Sequence, residues 1–380
     1  MAIATQRSQQ IVEVQAVRAF AAVLVAWAHI HHEFLERAVG WPWPLGAFGV
    51  DLFFVISGFI MVHVGTPLFQ VRGASANFFL KRLARIAPIY WAATIIFVLY
   101  ILESQPFSQA NVSWPNIIGS LLFLPIARPS GDVLPTFSVG WTLNYEMFFY
   151  LLFSIGLLVR RRVALILMAL GLVALVHLGK VYSGQWHPSV RFLAHPIIVE
   201  FALGMGLAVI YQRGWRISRW LAVTLVALAF AFLVSLEFAV WAVVQGRGYT
   251  FGVAAALVIA AAVLHDWNLQ GQARRIAIIL GDSSYALYLI HPLTMLAVRE
   301  ISGRIWAHYH VVLPVTTWPV ALTLLAGTIL LAVAIHRRLE RPLTAWLYRY
   351  IDRRFPVGPR SPPAPDEQAA RPGGSHLERG

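Results

Sequence analysis

The chain has 380 residues, of which 58% are hydrophobic and only 12% are charged. Soluble domains usually carry about 25% charged residues, so this composition excludes a soluble globular protein and indicates one embedded in a membrane. The formal net charge of +13 does not indicate nucleic-acid binding, because the basic residues lie in short clusters between apolar segments, as membrane topology requires. No cysteine is present, which excludes a thiol nucleophile and an acyl thioester on the protein.

Apolar segments long enough to cross about 30 Å of hydrocarbon recur along the chain. They predict an all-α integral membrane protein, a bundle of about ten transmembrane helices, because runs of this length do not suit a membrane β-barrel. The predicted helices cover residues 12–32, 46–64, 86–102, 138–159, 162–179, 192–211, 219–237, 248–265, 277–298 and 312–335. A further apolar piece at 117–126 is too short to span, so we expect it to be re-entrant or interfacial.

The basic residues predict the orientation of these helices. Lys and Arg collect after the even-numbered helices, for example at 81–85, 160–162 and 213–219. Cytoplasmic loops are enriched in these residues, so both termini are predicted to be cytoplasmic. The transmembrane domain is predicted to cover residues 1–355, and the Pro-, Gly- and charge-rich residues 356–380 are predicted to form a disordered cytoplasmic tail.

In the first predicted helix, Arg18 and His29 stand at the two ends of a run of ten uncharged residues. Eleven residues correspond to about 1100° of rotation and about 16 Å of rise, so both side chains share one face. An extended ligand with an anionic head and a reactive end would match this spacing, and so would a snorkelling arginine with an interfacial histidine. His31 and His32 predict no metal site, because adjacent histidines diverge around a helix and no acidic partner is evident.

Polar residues also interrupt the next helices. Ser57 lies in the second helix beside Gly58, which allows close approach of another helix or a ligand. Arg82 and Arg85 lie one turn apart at a predicted helix start, where they could clamp phosphates or simply anchor the helix at the cytoplasmic side. Glu146 lies within WTLNYEMFFY, and an unpaired carboxylate in a membrane is costly, so it predicts a pocket with a cation, a hydroxyl or water.

The ninth predicted helix has a polar stripe. Ser284, Tyr288 and His291 fall at i, i+4 and i+7, with Tyr285 beside them. Such a stripe serves either helix packing or substrate binding. Glu200 adds another membrane carboxylate, which we interpret as part of a helix contact at the small residues that follow it.

These motifs together resemble the bacterial membrane acyltransferase-3 family, of the exopolysaccharide and O-antigen O-acetyltransferase type. Their order and spacing carry the resemblance, which covers nearly all of the predicted helical region. The motifs are Arg-x10-His at 18–29, FFVISGF, RLAR followed by PIYW, WTLNYEMFFY, FALGM, SYALYLIHP and ERP at 340–342.

The resemblance implies ten membrane helices in the bacterial inner membrane and transfer of an acetyl or other acyl group. The implied donor is cytoplasmic acetyl-CoA, used as a cosubstrate without a metal ion. The implied acceptor is a hydroxyl of a cell-surface or exported polysaccharide, or of its lipid-linked saccharide precursor. Membrane lipid surrounds such a protein, and the resemblance does not decide between a monomer and a homo-oligomer.

The resemblance also assigns roles to the polar residues. Arg18, Arg82 and Arg85 would hold the phosphates of the donor, while His29 would meet the acetyl group. His29 would act either as a general base on the acceptor hydroxyl or as a transient acetyl acceptor. Glu146 would orient His29 or stabilise its charged form. His29, Glu146 and Arg18 are thus the three implied catalytic residues.

The remaining predicted site residues are hydroxyls and one further histidine. Ser57 or Tyr285 would support the oxyanion of the thioester, and Tyr288 and His291 complete the predicted substrate-binding set. The main alternative function is a multi-span transporter or flippase of lipid-linked sugars, although no repeat between the two halves is visible in the sequence. A membrane O-acyltransferase of the unrelated His/Asn type is a second alternative, against which the order of motifs argues.

Overall fold

The computed structural model describes residues 11–35, 44–182, 184–238, 240–310 and 316–358, apart from the side chains at 44–45, 108 and 236–249. This part of the chain is helical and contains no strand, which confirms the all-α prediction. Its α-helices are α1 Val12–Ile30, α2 Phe48–Gly65, α3 Ala74–Ser104, α4 Trp114–Leu121, α5 Trp141–Gly156, α6 Arg161–Val181, α7 Pro188–Leu193, α8 Val199–Gln212, α9 Arg219–Phe238, α10 Val240–Leu264, α11 Gly271–Asp282, α12 Ser284–Tyr309, α13 Trp318–Ile335 and α14 Arg341–Arg354.

Several of these helices can cross a membrane by length and composition. Five qualify among the described residues, and α11 with α12, bent by 60° at Ser283, makes a sixth. Three further apolar segments, Pro196–Gln212, Arg219–Ser235 and Thr250–Leu264, are shorter over the residues whose side chains the structure describes. The protein is therefore a multi-pass membrane protein, and the count of ten helices stays a prediction.

The helix boundaries differ from the predicted ones where polar residues or proline intervene. Helix α3 has 31 residues and begins at Ala74 rather than at 86, so Arg82 and Arg85 lie within it and not at its start. Helix α5 has 16 residues and α8 has 14. At 1.5 Å per residue these two helices reach only about 24 Å and about 21 Å, less than the hydrocarbon thickness.

Helices α2 and α8 cross at two glycines. A Cβ atom on Gly58 would lie 2.1 Å from the carbonyl oxygen of Phe201, and one on Gly204 would lie 2.0 Å from that of Val55. Only glycine permits this approach of the two backbones. The interpretation of the small residues after Glu200 as a helix contact is thereby confirmed.

Helix α12 runs beside α1 in the same direction. Arg18 of α1 meets Ser284 at the start of α12, and His29 meets His291 two turns further along. Arg18 and His29 thus both face α12, and their shared face is what the spacing predicts. We call the end of the bundle at which α1 begins the basal end, and the opposite end the distal end.

Helix α3 lies on another side of α12 and also runs from the basal to the distal end. The Tyr285 hydroxyl donates a hydrogen bond to the carbonyl oxygen of Ile86 at 2.7 Å. Glu300 lies fifteen residues further along α12, and its carboxylate accepts a hydrogen bond from the Tyr100 hydroxyl of α3 at 2.8 Å. Helices α1, α3 and α12 therefore carry most of the polar residues that the sequence singles out, with Ser57 on α2 and Glu146 on α5.

The C-terminal helix α14 packs against the start of α3. Asp352 accepts a hydrogen bond from Asn77 at 3.0 Å and forms a salt bridge with Lys81 at 2.6 Å. A π-helical turn, His336–Glu340, joins α13 to α14 and buries Glu340. The predicted tail lies outside the described residues from 359 onward. The backbone N–H of Gly358 donates a hydrogen bond to the carbonyl oxygen of Arg72 at 2.9 Å.

The apolar piece predicted at 117–126 forms the eight-residue helix α4 and the loop after it. Ser113 caps this helix, and the Asn116 side chain donates to the carbonyl oxygens of Ile126 and Leu134 at 3.0 and 2.9 Å. Eight residues rise only about 12 Å, so the prediction that this piece does not span is confirmed.

Candidate active site

Three arginines of α1 and α3 form what we call the arginine cluster. Arg85 acts electrostatically on Arg18, and Arg82 and Arg85 both act on Tyr150 of α5. Arg18 donates one hydrogen bond, from Nη2 to the Ser284 hydroxyl at 3.0 Å. The Arg82 guanidinium lies over the rings of Phe78 and Tyr150, at 5.1 and 5.8 Å from their centroids. These contacts hold the two side chains while leaving most of their N–H donors unused, since a guanidinium has five.

Carboxylates surround the arginines without pairing with them directly. Glu146 and Glu340 act electrostatically on both Arg18 and Arg85, and Asp282 acts on Arg18. Within the described ranges, no salt bridge joins Arg18, Arg82 or Arg85 to a carboxylate. The cluster is therefore partly neutralised and keeps N–H donors that a phosphate could accept.

Glu146 belongs to this arginine cluster. Its Oε1 atom accepts a short hydrogen bond from the Tyr150 hydroxyl and a longer one from the Ser57 hydroxyl, at 3.5 Å. The prediction that this carboxylate requires a hydroxyl or a cation is confirmed. Among the described residues, no hydrogen bond or salt bridge joins Glu146 to His29, so the contact that the resemblance implies is not seen.

His29 and His291 form a ring pair nearer the distal end. Their ring centroids lie 4.9 Å apart, with an interplanar angle of 53°. His29 is exposed, whereas His291 is fully buried. His29 is therefore the member of the pair that a substrate can reach.

Hydrogen bonds fix the tautomer of both rings. His29 Nδ1 lies 2.9 Å from the carbonyl oxygen of Val25, and His291 Nδ1 lies 3.3 Å from that of Leu287. A carbonyl oxygen can only accept, so Nδ1 carries the proton in each neutral ring. The Nε2 atom of His29 thus holds the lone pair, as a general base or a nucleophile requires.

The predicted substrate-binding tyrosines make structural hydrogen bonds. Tyr285 donates to the backbone of α3, as described above, and Tyr288 donates to the carbonyl oxygen of Val139 at 2.8 Å. The Tyr288 hydroxyl also pairs with Thr142 at 2.8 Å. Of the two interpretations of the polar stripe, these contacts favour helix packing for both tyrosines.

Sequence reasoning missed two residues of the arginine cluster. Tyr150 follows Glu146 by four residues, so the helical period could have predicted their contact. Glu340 contributes its charge from a buried π-helical turn, where it also bonds His336 at 2.9 Å. Its only sequence signal was the ERP motif, since nothing local predicts that α14 folds back onto α3.

Comparison with known proteins identifies the class to which this fold and site belong. Residues 11–337 match the family model Acyl_transf_3, which describes an acyltransferase domain. The chain therefore belongs to the acyltransferase-3 family, as the motifs predict. No solved structure matches the chain significantly.

Three characterised or named proteins are similar to the chain. The exopolysaccharide production protein ExoZ of Rhizobium meliloti is 31% identical over 80% of this chain and 91% of its own length. The acyltransferase MdmB of Streptomyces mycarofaciens is 25% identical over 92% of this chain and 95% of its own length. The putative peptidoglycan O-acetyltransferase YrhL of Bacillus subtilis is 25% identical over 92% of this chain and 57% of its own length.

Proposed function

We propose that this acyltransferase moves an acetyl group from acetyl-CoA to a hydroxyl of a cell-surface or exported polysaccharide, or of its lipid-linked precursor. The observation that carries the proposal is the face of α1 that offers unpaired arginine donors at one level and a free imidazole Nε2 about 16 Å further along. The names of ExoZ and YrhL support a saccharide acceptor. Acetyl-CoA fits because its phosphates are anionic and its thioester lies at the far end of a long arm.

The donor would bind with its phosphates at the basal end. Arg18 and Arg85 offer the donors, and Arg82, stacked on two aromatic rings, adds a third positive charge. Charge-assisted hydrogen bonds to phosphate are about twice as strong as neutral ones. The arm of the donor would then extend along α1 and α12 toward His29.

The chemical step assigned to His29 is proton transfer or nucleophilic attack. As a base, Nε2 takes the proton of the acceptor hydroxyl while the oxygen attacks the thioester carbonyl; the C–S bond breaks and the thiolate regains the proton. As a nucleophile, Nε2 attacks the thioester carbonyl, and the C–S bond breaks to release the CoA thiolate. The acceptor hydroxyl then attacks the acetyl carbonyl, the acetyl–nitrogen bond breaks, and the hydroxyl proton passes to the thiolate. Both routes use the same nitrogen.

The direct test is transfer by the purified protein in lipid vesicles. Radiolabelled acetyl-CoA is supplied with the polysaccharide of the source strain, and label in the polymer is counted. Label that depends on both the protein and the polymer is the expected result. A protein that binds the polymer and consumes no acetyl-CoA would overturn the proposal in favour of a sugar transporter.

Sidedness gives an independent test, because donor and acceptor are proposed to arrive from opposite faces. The proposed protein crosses the bacterial inner membrane with ten helices. Its basal end and both termini face the cytoplasm. Ser130 and Ser218 are exposed loop residues, and the chain has no cysteine to interfere. A cysteine replacing Ser130 should react with an impermeant thiol reagent from outside the membrane, and one replacing Ser218 only after the membrane is opened.

A further inference from the structure

A polar cavity opens at the basal end, apart from the arginine cluster. It measures about 840 Å³ and is lined by the first residues of α1, the ends of α2 and α8, the start of α6 and the loop after α10. Glu13 lines it from α1, about 140° around the helix from Arg18. The cavity therefore lies on a different side of α1, and its volume is in the range of about 300–1,000 Å³ typical of small-molecule sites.

One arginine of this cavity is held in place by three helices. Arg161 of α6 donates from Nη2 a short hydrogen bond to Oε1 of Gln212 in α8. Gln212 Nε2 in turn donates to the Thr66 hydroxyl, after the end of α2, at 3.0 Å. The guanidinium is thus oriented before any ligand arrives, which lowers the entropic cost of binding.

Among the described residues, no carboxylate forms a salt bridge with Arg161. The groups that act on it electrostatically are two further arginines, Arg162 and Arg213. Its Nε atom is buried and has no hydrogen-bond partner. A buried, oriented guanidinium donor without an acidic partner is costly unless a ligand completes it, and phosphate matches its geometry.

The other walls of the cavity carry charges of both signs. Glu13 and Asp266 contribute carboxylates and Arg274 a second cation. Among the described residues, none of the four charged side chains that line the cavity forms a salt bridge with another. An anionic ligand would place its charge beside the two carboxylates, and a cationic ligand would place its charge beside the two arginines.

We infer that this cavity binds a small ligand that carries both a phosphate ester and an ammonium group. Arg161 and Arg274 take the phosphate, and Glu13 with Asp266 takes the ammonium. Two sources share this chemistry, namely the headgroup of an aminophospholipid and a soluble phosphorylated amine. The site is separate from the proposed acyl-transfer site, and its failure would leave that function intact.

The test uses the full-length protein in detergent, titrated with phosphoethanolamine and with inorganic phosphate by calorimetry. Arg161→Ala should weaken phosphoethanolamine binding at least about tenfold, as loss of one charge-assisted contact predicts. Arg161→Gln, which retains hydrogen-bonding capacity, repeats the test should the alanine variant not fold. Arg219→Ala removes an exposed arginine near the same end and should bind as the wild type does. Combined Glu13→Gln and Asp266→Asn should remove the preference for phosphoethanolamine over inorganic phosphate.

A second arm separates the two sources. Native mass spectrometry of protein released from nanodiscs of phosphatidylethanolamine and phosphatidylglycerol should show retention of the amino lipid if the source is the membrane. Binding of soluble phosphoethanolamine alone identifies a soluble ligand and also supports the site. Equal affinity in Arg161→Ala and wild type, or binding of neither probe, would overturn the inference. Displacement of phosphoethanolamine by adenosine 3′,5′-bisphosphate would do so too, because the cavity would then belong to the donor.

Discussion

The arginine cluster and the histidine pair differ in how the structure satisfies their polar groups. The arginines lie among carboxylates and aromatic rings, yet within the described part of the chain Arg18 makes one side-chain hydrogen bond and no salt bridge joins the three arginines to a carboxylate. The histidines each use Nδ1 on a carbonyl of their own helix and pack on each other. The cluster is thus incomplete without an anion, whereas the pair is already set for chemistry.

Under the proposed function, this difference would separate donor binding from acyl transfer along one face of α1. A residue that acts at the basal end should change donor affinity, and one that acts beside His29 should change the rate of transfer. Glu146 is informative because the family resemblance implies a role at His29, whereas the structure places its carboxylate near the arginines. Substitutions along this axis can therefore break or sharpen the comparison.

The largest effect is expected for His29→Ala, which removes the exposed Nε2 lone pair. General acid–base catalysis contributes about 10²- to 10⁴-fold, so kcat for acyl transfer should fall by a factor in that range. The affinity for acetyl-CoA, measured with the purified protein, should stay within about twofold. His32→Ala, three residues along the chain, serves as the control and should retain activity. A kcat near that of the wild type in His29→Ala would remove this histidine from the mechanism.

Arg85→Ala should act on the donor instead. It removes a guanidinium that faces Glu146 and Glu340 without a salt bridge, and a hydrogen bond to a charged group contributes about 1.5–3 kcal/mol. The KM for acetyl-CoA should rise roughly 10- to 100-fold, with a small change in kcat. Lys81→Ala removes a charge one turn away on α3, outside the cluster, and is the matched control. Unchanged CoA affinity in Arg85→Ala, and in the Arg82 and Arg85 double variant, would assign both arginines to membrane topology alone.

The sequence predicted those parts of the fold that local pattern determines. Apolar runs located most helices, and the 11-residue spacing predicted that Arg18 and His29 share a face. The predicted start of α3 was wrong by twelve residues, because Arg82 and Arg85 were taken to mark the start of the helix although the helix already runs through them from Ala74. The bend at Ser283 was also missed, since no proline or glycine occupies that position.

The sequence predicted which residues are candidates for the site better than it predicted which of them lie together. Arg18, Glu146 and Arg85 were found because charges in an apolar segment need a reason. Their association depends on α5 and α14 packing against α3, a tertiary contact that no local period records. Tyr288 was assigned to substrate because a hydroxyl in a membrane helix looks unsatisfied until its partner, Val139 in the turn before α5, is known.

Glu146→Gln distinguishes the two regions by which kinetic constant it changes. Glutamine keeps an acceptor for Tyr150 and Ser57 but removes the negative charge near Arg18 and Arg85. With less competition for the arginines, the KM for acetyl-CoA should fall a few-fold, on the order of the 0.5–1 kcal/mol of a partly screened charge interaction. Steady-state kinetics at fixed acceptor measure this, with Glu300→Gln at the distal rim as control. A large fall in kcat with an altered pH profile would instead return Glu146 to the support of His29.

The smallest effect on catalysis is expected for Tyr288→Phe, which tests whether the polar stripe of α12 packs helices or binds substrate. The substitution removes the hydroxyl that donates to Val139 and pairs with Thr142, whereas Thr142 keeps a hydrogen bond of its own to Val139 at 3.3 Å. One neutral hydrogen bond contributes about 0.5–1.5 kcal/mol, so the midpoint of thermal unfolding in detergent should fall by a few degrees. Both KM values should stay within about twofold of the wild type, because the hydroxyl faces the start of α5 and not His29. Tyr285→Phe, whose hydroxyl bonds the backbone of α3, should behave in the same way. A selective rise in the KM for the polysaccharide, with the unfolding midpoint unchanged, would show that these hydroxyls hold the acceptor and that the binding region extends from the arginines up to the histidines.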